Sequence, residues 1–405
     1  MRSPRPLTGI VLFTAGLLTL ASASARQPDP KNPVLDGRPL SQWVKALSDG
    51  NNPTGQEKAA AVLVKHAKVA LPGLIAALDD KSAAVRSEVA EFLGGLGEDG
   101  VEALPKLLGL FADPEPAVRG AAAEAVGGFG EAAKEAVPAL IKLLRETDRP
   151  VVRIGAIRGL RGIGPDAKGA VVVLTNAVRG TIAKKDVGPR VRAEAAEALG
   201  RMGPAAKEAV PVLIKALGEG RPEIRAGAAD GLGGIGEAAA EAVKPLVGLM
   251  KADKEVEVRV AAAPALGGIG KVIAKESVPA LALALSDPHE DVKVAAADAL
   301  EQLGPDANDA VPALTKALAD ASPDVRAGAA AALGAIGEAA KNAVPALIKC
   351  LSDKSNDVKE NALEALGDIG PAAREAADAV RKLSTSGPKE LQELAKEVLQ
   401  KIESK

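Results

Sequence analysis

The sequence predicts an all-α solenoid of stacked antiparallel helix pairs with a period of 33–34 residues. Three observations predict it. First, a short segment ending in glycine returns nine times, from FLGGLG (92–97) through GLRGIG (159–164) and GLGGIG (231–236) to ALGDIG (365–370). Its final glycines are Gly97, Gly130, Gly164, Gly203, Gly236, Gly270, Gly304, Gly337 and Gly370, spaced by 33 or 34 residues except for one step of 39. Second, each unit carries apolar residues at helical spacing. Third, aromatic residues make up only 1% of the chain, with one Trp, four Phe and no Tyr, while glycines number 42. A large globular core draws its bulk from aromatic side chains; a core of Ala, Val, Leu and Ile suits thin helical layers packed closely together.

The elements follow in chain order. MRSPRP, an apolar run from Leu7 to Leu20 and Ala-x-Ala at Ala23 and Ala25 form the three-part grammar of a secretory signal. The run is 14 residues long, short of the ~20 that span a bilayer. Cleavage is expected after Ala25, with an uncleaved N-terminal membrane anchor as the alternative. Residues 26–40 are Pro-rich and polar and read as a linker. Residues 41–69 read as a degenerate first unit in which Trp43 closes the open end of the stack.

Nine units then occupy residues 70–370. In AVPALIKLL (136–144), Val137, Leu140, Ile141 and Leu144 share one face of a first helix. Pro138 falls in its first turn, where a missing N–H costs nothing; Pro72, Pro105, Pro211, Pro279, Pro312 and Pro345 sit alike. A turn follows with an acid: Asp80, Asp113, Asp148, Asp253, Asp287, Asp320 and Asp353, with Glu219 in the equivalent place. The second helix opens on a β-branched residue and a cation, as in Val118-Arg119, Val191-Arg192, Ile224-Arg225 and Val325-Arg326. It ends at the recurring glycine, expected to be a left-handed residue closing a Schellman-type cap. GLGGIG also fits Gly-x-Gly-x-x-Gly, but a dinucleotide turn needs a preceding strand and a following helix N-terminus. Here the glycines follow a helix, so nucleotide binding is excluded.

The 39-residue step comes from extra residues in RGTIAKKDVGPRVR (179–192). Insertions in repeat proteins tend to lie on a binding edge, and Lys184, Lys185 and Arg190 mark this one as a candidate contact site; drift in a tolerant loop is the other reading. Residues 371–405 read as capping helices, with Leu391, Leu394, Val398 and Ile402 on one stripe of the last.

The first-helix proline, the turn Asp and the Val-Arg of the second helix together resemble the HEAT repeat family, in particular the bacterial short repeats named for similarity to phycobilisome lyase. The resemblance covers roughly residues 70–370. It implies a right-handed superhelix with the second helices on the concave side, and a structural ladder of Asp and Arg between neighbouring repeats, with pairs such as Asp113 with Arg119 and Asp320 with Arg326. The family name carries no lyase chemistry to this chain.

Catalytic constellations are lacking. His66 and His289 are the only histidines and Cys350 the only cysteine, so no Cys–His, His–His or Ser–His–Asp set can be assembled. No metal or other cofactor is expected, and Cys350 reads as a small packing residue. The net charge is −2, which offers no general affinity for nucleic acid or anionic lipid. One position of the second helix reads Glu91, Glu124, Arg158, Glu197, Asp230, Pro264, Asp298, Ala331 and Glu364 through the nine units. Either these carboxylates pair with neighbouring arginines, or they form an acidic track for a basic segment of another protein. The expected function is therefore a non-enzymatic, monomeric, exported adaptor holding a protein along its concave face, with neither nucleic-acid binding nor membrane insertion after cleavage. A passive spacer and a lyase-like enzyme are the rival readings.

Overall fold

The computed structural model describes residues 29–182, 185–386 and 388–404. The expected signal segment 1–25 and Lys184 lie outside the described residues, as does the side chain of Lys185. The described chain starts with a two-stranded hairpin, β1 (Val34–Leu35) and β2 (Arg38–Pro39), followed by α1 (Leu40–Leu47) and α2 (Pro53–Lys65). Nine helix pairs follow: α3 (Ala67–Ala77) with α4 (Ala83–Gly95), α5 (Leu104–Gly109) with α6 (Pro116–Gly128), α7 (Val137–Glu146) with α8 (Pro150–Ile163), and α9 (Val171–Val178) with α10 (Pro189–Arg201). The series continues with α11 (Val210–Ala216) and α12 (Pro222–Ile235), α13 (Val243–Ala252) and α14 (Val256–Ile269), α15 (Ala274–Ala284) and α16 (Glu290–Leu303), α17 (Val311–Ala317) and α18 (Pro323–Ile336), and α19 (Val344–Cys350) and α20 (Asn356–Ile369). A last pair, α21 (Ala377–Ser386) and α22 (Lys389–Glu403), ends the stack. Between α9 and α10 the inserted residues form a small hairpin, β3 (Thr181–Ile182) with β4 (Lys185–Asp186).

Within the segment 26–40 expected to be a linker, the described residues 34–39 instead form the hairpin β1–β2. Asp36 and Gly37 adopt positive φ, 44° and 81°, the two-residue turn that matches strand twist. Its tip is pinned where Asp36 meets Lys65 Nζ at 3.2 Å and His66 Nε2 at 2.8 Å. Trp43 is buried as the end cap; its Nε1 donates to the Leu35 carbonyl at 2.9 Å, and the Arg38 guanidinium lies 5.1 Å from the ring centre. At the other end Leu391, Ala395, Val398 and Ile402 of α22 are buried, with Leu394 only half-buried.

The nine recurring glycines all have positive φ, from 56° to 86°. Where helices α8, α12, α14, α16, α18 and α20 end on one, ψ lies between −129° and −164°. This corrects the expected left-handed cap: the residue is in the mirror image of extended backbone, a region essentially closed to residues with a Cβ. It reverses the chain into a 3-10 turn, such as Gly130–Ala136, that feeds the next first helix.

The second helices form the inner layer. From α4 to α20 they pack along their lengths, while the first helices meet their neighbours over fewer residues, so the stack bends toward the second helices and they line the concave face. Glycine and alanine allow this close approach. A Cβ on Gly155 would overlap the Gly120 carbonyl, and one on Gly234 would stand 2.7 Å from the Gly200 carbonyl carbon and oxygen.

The Asp/Arg ladder joins the repeats at the turns. Arg225 Nη1 donates to the Glu219 carbonyl of its own repeat at 2.9 Å, while Nε and Nη2 donate to the Asp253 carboxylate of the next at 2.7 and 2.8 Å. Arg86 with Asp80 and Asp113, Arg259 with Asp253 and Asp287, and Arg326 with Asp320 and Asp353 repeat the arrangement. Each guanidinium therefore clamps a carbonyl and a carboxylate from adjacent repeats, using the planar fork that Arg alone provides. The expected pairs Asp113–Arg119 and Asp320–Arg326 are corrected accordingly: those arginines take the Asp backbone carbonyls, at 2.6 and 2.8 Å, and the carboxylates go to Arg86 and Lys293 of the preceding repeats.

Hydrogen bonds from Arg86 and Arg326 hold the carboxyls of Asp113 and Asp353 below the usual range. At Asp253, Asp287 and Asp320 burial pushes upward, and the cation across the joint outweighs it. Asp148 is a second correction. The rung acid stands six residues before the cation, which places Thr147 in register with Arg153; its Oγ1 accepts the Arg149 N–H at 3.1 Å, the role an Asp oxygen plays elsewhere, and Asp148 is exposed.

A candidate protein interface on the concave face

Each second helix shows the concave side the same positions, so a row of side chains runs from α4 to α20. The row read from the sequence divides into two parts. Around α8, Arg158 Nε and Nη2 donate to Glu194 Oε1 at 3.0 and 2.6 Å and Nη1 reaches Glu124 at 3.4 Å, while Arg161 pairs with Glu194 and Glu197. Charge is compensated there, as the pairing alternative expects. Glu91, Asp230, Asp298 and Glu364 have no cation within ion-pair distance among the described residues.

These unpaired carboxylates carry a cost. Asp230 reaches solvent, yet the walls around it strip much of its hydration, and with the Glu197 carboxylate nearby its pKa is pushed up to about 6. Burial raises Glu91, aided by Glu88 and Glu124, and raises Asp298. Glu301, one turn from Asp298, rises from burial and from the charges of Asp298 and Glu364. Glu197 rises from burial and Glu194, against the pull of Arg161.

A second row escaped the sequence reading. Seven residues earlier on each helix stand Ala84, Ala117, Val151 and Arg190, then Glu223, Glu257, Asp291, Asp324 and Asp357. Two helical turns separate the rows, so both face the same side. The same alignment of repeats, read two turns upstream, holds that signal. From α12 to α20 the upstream row is acidic on every helix, and the first row adds Asp230, Asp298 and Glu364, with Pro264 and Ala331 between them. A hollow of about 730 Å³ between α12, α14 and α16 is lined by Asp230, Glu255, Glu257 and Asp291 with Val256, Val260 and Pro264, and no cation lines it. Pro264 lies inside α14 and has no N–H to give the Val260 carbonyl.

From α4 to α10 the character differs. A hollow of about 520 Å³ has Gly120, Ala121, Val151, Ile154 and Gly155 in its floor, with Glu91, Glu124 and Arg158 on its rim. Gly188, Pro189, Arg190 and Val191, just past the inserted hairpin, complete it. Arg190, assigned to the insertion, is exposed at this hollow, whereas Arg192, the cation that opens α10, is committed to the ladder through Val178 O and Glu219. Ile182 and Val187 are buried, so the inserted hairpin is anchored in the core.

Cys350 is buried with its Sγ 3.8 Å from the Leu318 carbonyl, and burial pushes its thiol up. His289 precedes α16 at the N-cap position without a side-chain cap, and its backbone N–H donates to Asp287 Oδ1. Among the described residues no group of three His, Cys, Asp or Glu side chains is arranged to hold a metal ion. Nor is any single helix there long and apolar enough to cross a membrane.

Comparison with known proteins places this architecture. A family model described as HEAT repeats matches residues 40–127, 105–182, 176–267, 243–334 and 311–400. The crystal structure of importin beta in an ammonium sulfate condition is similar at 18% identity and a TM-score of 0.54, over 90% of this chain and 55% of that one. Kap121p is similar at 18% identity and a TM-score of 0.52, over 90% of this chain and 45% of that one. The same karyopherin bound to the extreme C-terminus of the protein phosphatase Cdc14p is similar at 17% identity and a TM-score of 0.50, over 90% of this chain and 49% of that one. This chain thus spans about half the length of those karyopherins, and at such identities the likeness is one of fold. No curated protein matches. With the repeat model matched nearly end to end on a stack of antiparallel helix pairs, the chain belongs to the HEAT repeat family.

Proposed function

We propose that this protein is a non-enzymatic scaffold that holds a basic segment of a partner protein along the concave face from α12 to α20. One observation carries the reading: an unbroken acidic row from Glu223 to Asp357, flanked by Asp230, Asp298 and Glu364, facing a groove that no cation lines. The acids of the upstream row lie in the first turns of their helices, where the helix dipole favours them. Asp230 and Asp298 lie in mid-helix, where no such benefit exists and the surrounding walls cost them part of their hydration although both reach solvent. A cation delivered by a partner would relieve that cost. A passive spacer has no use for it. Karyopherin Kap121p, similar in fold, was solved with a protein segment bound, a precedent for such use of the fold.

The basic, apolar and Ala-x-Ala parts of residues 1–25 support action outside the cytoplasm, in the cell envelope, and a monomeric adaptor fits a binding face repeated along one chain. The test is crosslinking in the host with the tagged full chain beside a variant carrying Glu223→Gln, Glu257→Gln, Asp291→Asn and Asp298→Asn. A defined partner recovered with the native chain and lost with the folded variant is expected. The same set of proteins from both refutes the acidic face as the binding surface.

A further inference from the structure

We infer that the same partner segment carries an apolar anchor, an aliphatic or aromatic side chain, and that the hollow across α6 and α8 receives it. The inference rests on the concave-face reading and adds a second contact to it. Among the described residues of the second helices α4 to α20, Val151 alone leaves a large apolar side chain nearly half exposed, at 48%. It occupies the row that turns acidic from α12 onward, so the groove changes from apolar to anionic along its length. Beside it Ile154 is half-buried. The floor is low because Gly120 and Gly155 bring the backbones of α6 and α8 into contact, and no side chain fills the space above them.

An apolar hollow with charged walls, opening onto a longer charged track, has the anatomy of a peptide-binding groove. The charges specify the occupant. Glu91, on the rim, has no cation within ion-pair distance among the described residues, and from α12 the upstream row turns acidic as well. An apolar anchor accompanied by lysines or arginines satisfies both parts of the groove; an acidic or wholly apolar segment satisfies only one. From α8 to α12 is two layers, roughly 16–20 Å at ~8–10 Å per layer. An extended chain covers that in about five or six residues. The stretch between them is crossed at α10, where Arg158 and Arg161 already neutralise Glu194 and Glu197 and the exposed Arg190 disfavours a partner cation, so the partner's basic run belongs beyond it, from α12 onward.

The experiment is selection from a displayed library of random 16-residue peptides against the immobilised full chain, followed by affinity measurements on the enriched peptides. Enrichment of an aliphatic or aromatic residue about five or six positions from a Lys/Arg run is expected. Val151→Asp adds an acid to the first turn of α8, which the helix dipole tolerates, and should weaken such a peptide about tenfold or more. Glu223→Gln with Glu257→Gln and Asp291→Asn should weaken it to a similar degree and flatten its salt dependence. Basic peptides that lack an anchor and ignore Val151→Asp overturn the inference and leave the acidic scaffold standing. Peptides indifferent to both variants, or no enrichment at all, count against both.

Discussion

Substituting Gly127 by Ala tests the inter-repeat packing on which the concave face depends. Gly127 lies inside α6, and a Cβ there would stand 2.6 Å from the Gly159 carbonyl oxygen and 2.7 Å from its Cα on α8. Ordinary contact begins at 3.4 Å, so the two backbones must separate by roughly 0.8 Å. No flexible side chain stands in the way to yield. Overpacking of this kind costs about 1–3 kcal/mol, while exchanging Gly for Ala inside a helix returns about 0.5–1 kcal/mol. The net expectation is a loss of about 1–2 kcal/mol at the α6–α8 interface. Because a solenoid's stability sums repeat and interface terms, the loss should be local. Amide hydrogen exchange in α6 and α8 should accelerate roughly 5–30-fold, with α18 and α20 unchanged. Gly248 of α13 has nothing within 4 Å of its would-be Cβ, and Gly248→Ala should stabilise by about 0.5–1 kcal/mol. Equal protection in Gly127→Ala and the native chain refutes the close-packing argument.

The other expectations concern the ladder and the carboxylates. Asp253→Ala strands a buried Arg225 and should cost on the order of 3 kcal/mol in denaturant titrations; a loss no larger than that of an exposed residue contradicts the clamp. Thr147→Asp supplies the missing acid opposite Arg119, which now binds only the carbonyls of Asp113 and Pro114, and should gain ~0.5–1 kcal/mol. A neutral or unfavourable outcome means the joint there is set differently. The pH dependence divides in two. Asp230, with a folded pKa of about 6, binds its proton more tightly folded than unfolded, so its contribution is present below about pH 4 and is lost as pH rises through 6. The ladder carboxylates are depressed, so theirs is present above about pH 4 and is lost as pH falls below it. Asp230→Asn should flatten the decline between about pH 4 and 6 by roughly 1 kcal/mol, allowing for solvent screening of an exposed side chain. An unchanged profile removes Asp230 as its source.

Much of the fold was legible because its signals are local. Only glycine tolerates the backbone that reverses each second helix, so the nine glycines marked every repeat, although their φ and ψ belong to a different region from the one expected. Asp36-Gly37 is an equally local turn signal, hidden by the prolines around it. The ladder was legible in its residue types but not its pairing, since one guanidinium reaches two repeats and only the packed turns decide which oxygen lies at each side of the fork. Asp148 misled because the turn before Arg153 carries its acid one residue late, which leaves Thr147 in register. The acidic row through Asp230 could be read by aligning repeats. Which members were paired could not, because Arg158 and Arg161 meet Glu194 and Glu197 across helices 36 residues apart in sequence. The apolar hollow arises where two glycines on separate helices touch, a juxtaposition absent from any single repeat.

The central claim is that a partner protein lies on the concave face. A photo-crosslinking amino acid placed singly at Ala117 or Ala331 on the second helices, and at Val172 or Leu283 on the exposed side of the first helices, tests it in the intact chain. The account predicts adducts to one and the same protein from Ala117 and Ala331, and none from Val172 or Leu283. Adducts from the first-helix positions alone, or equally from all four, would contradict it.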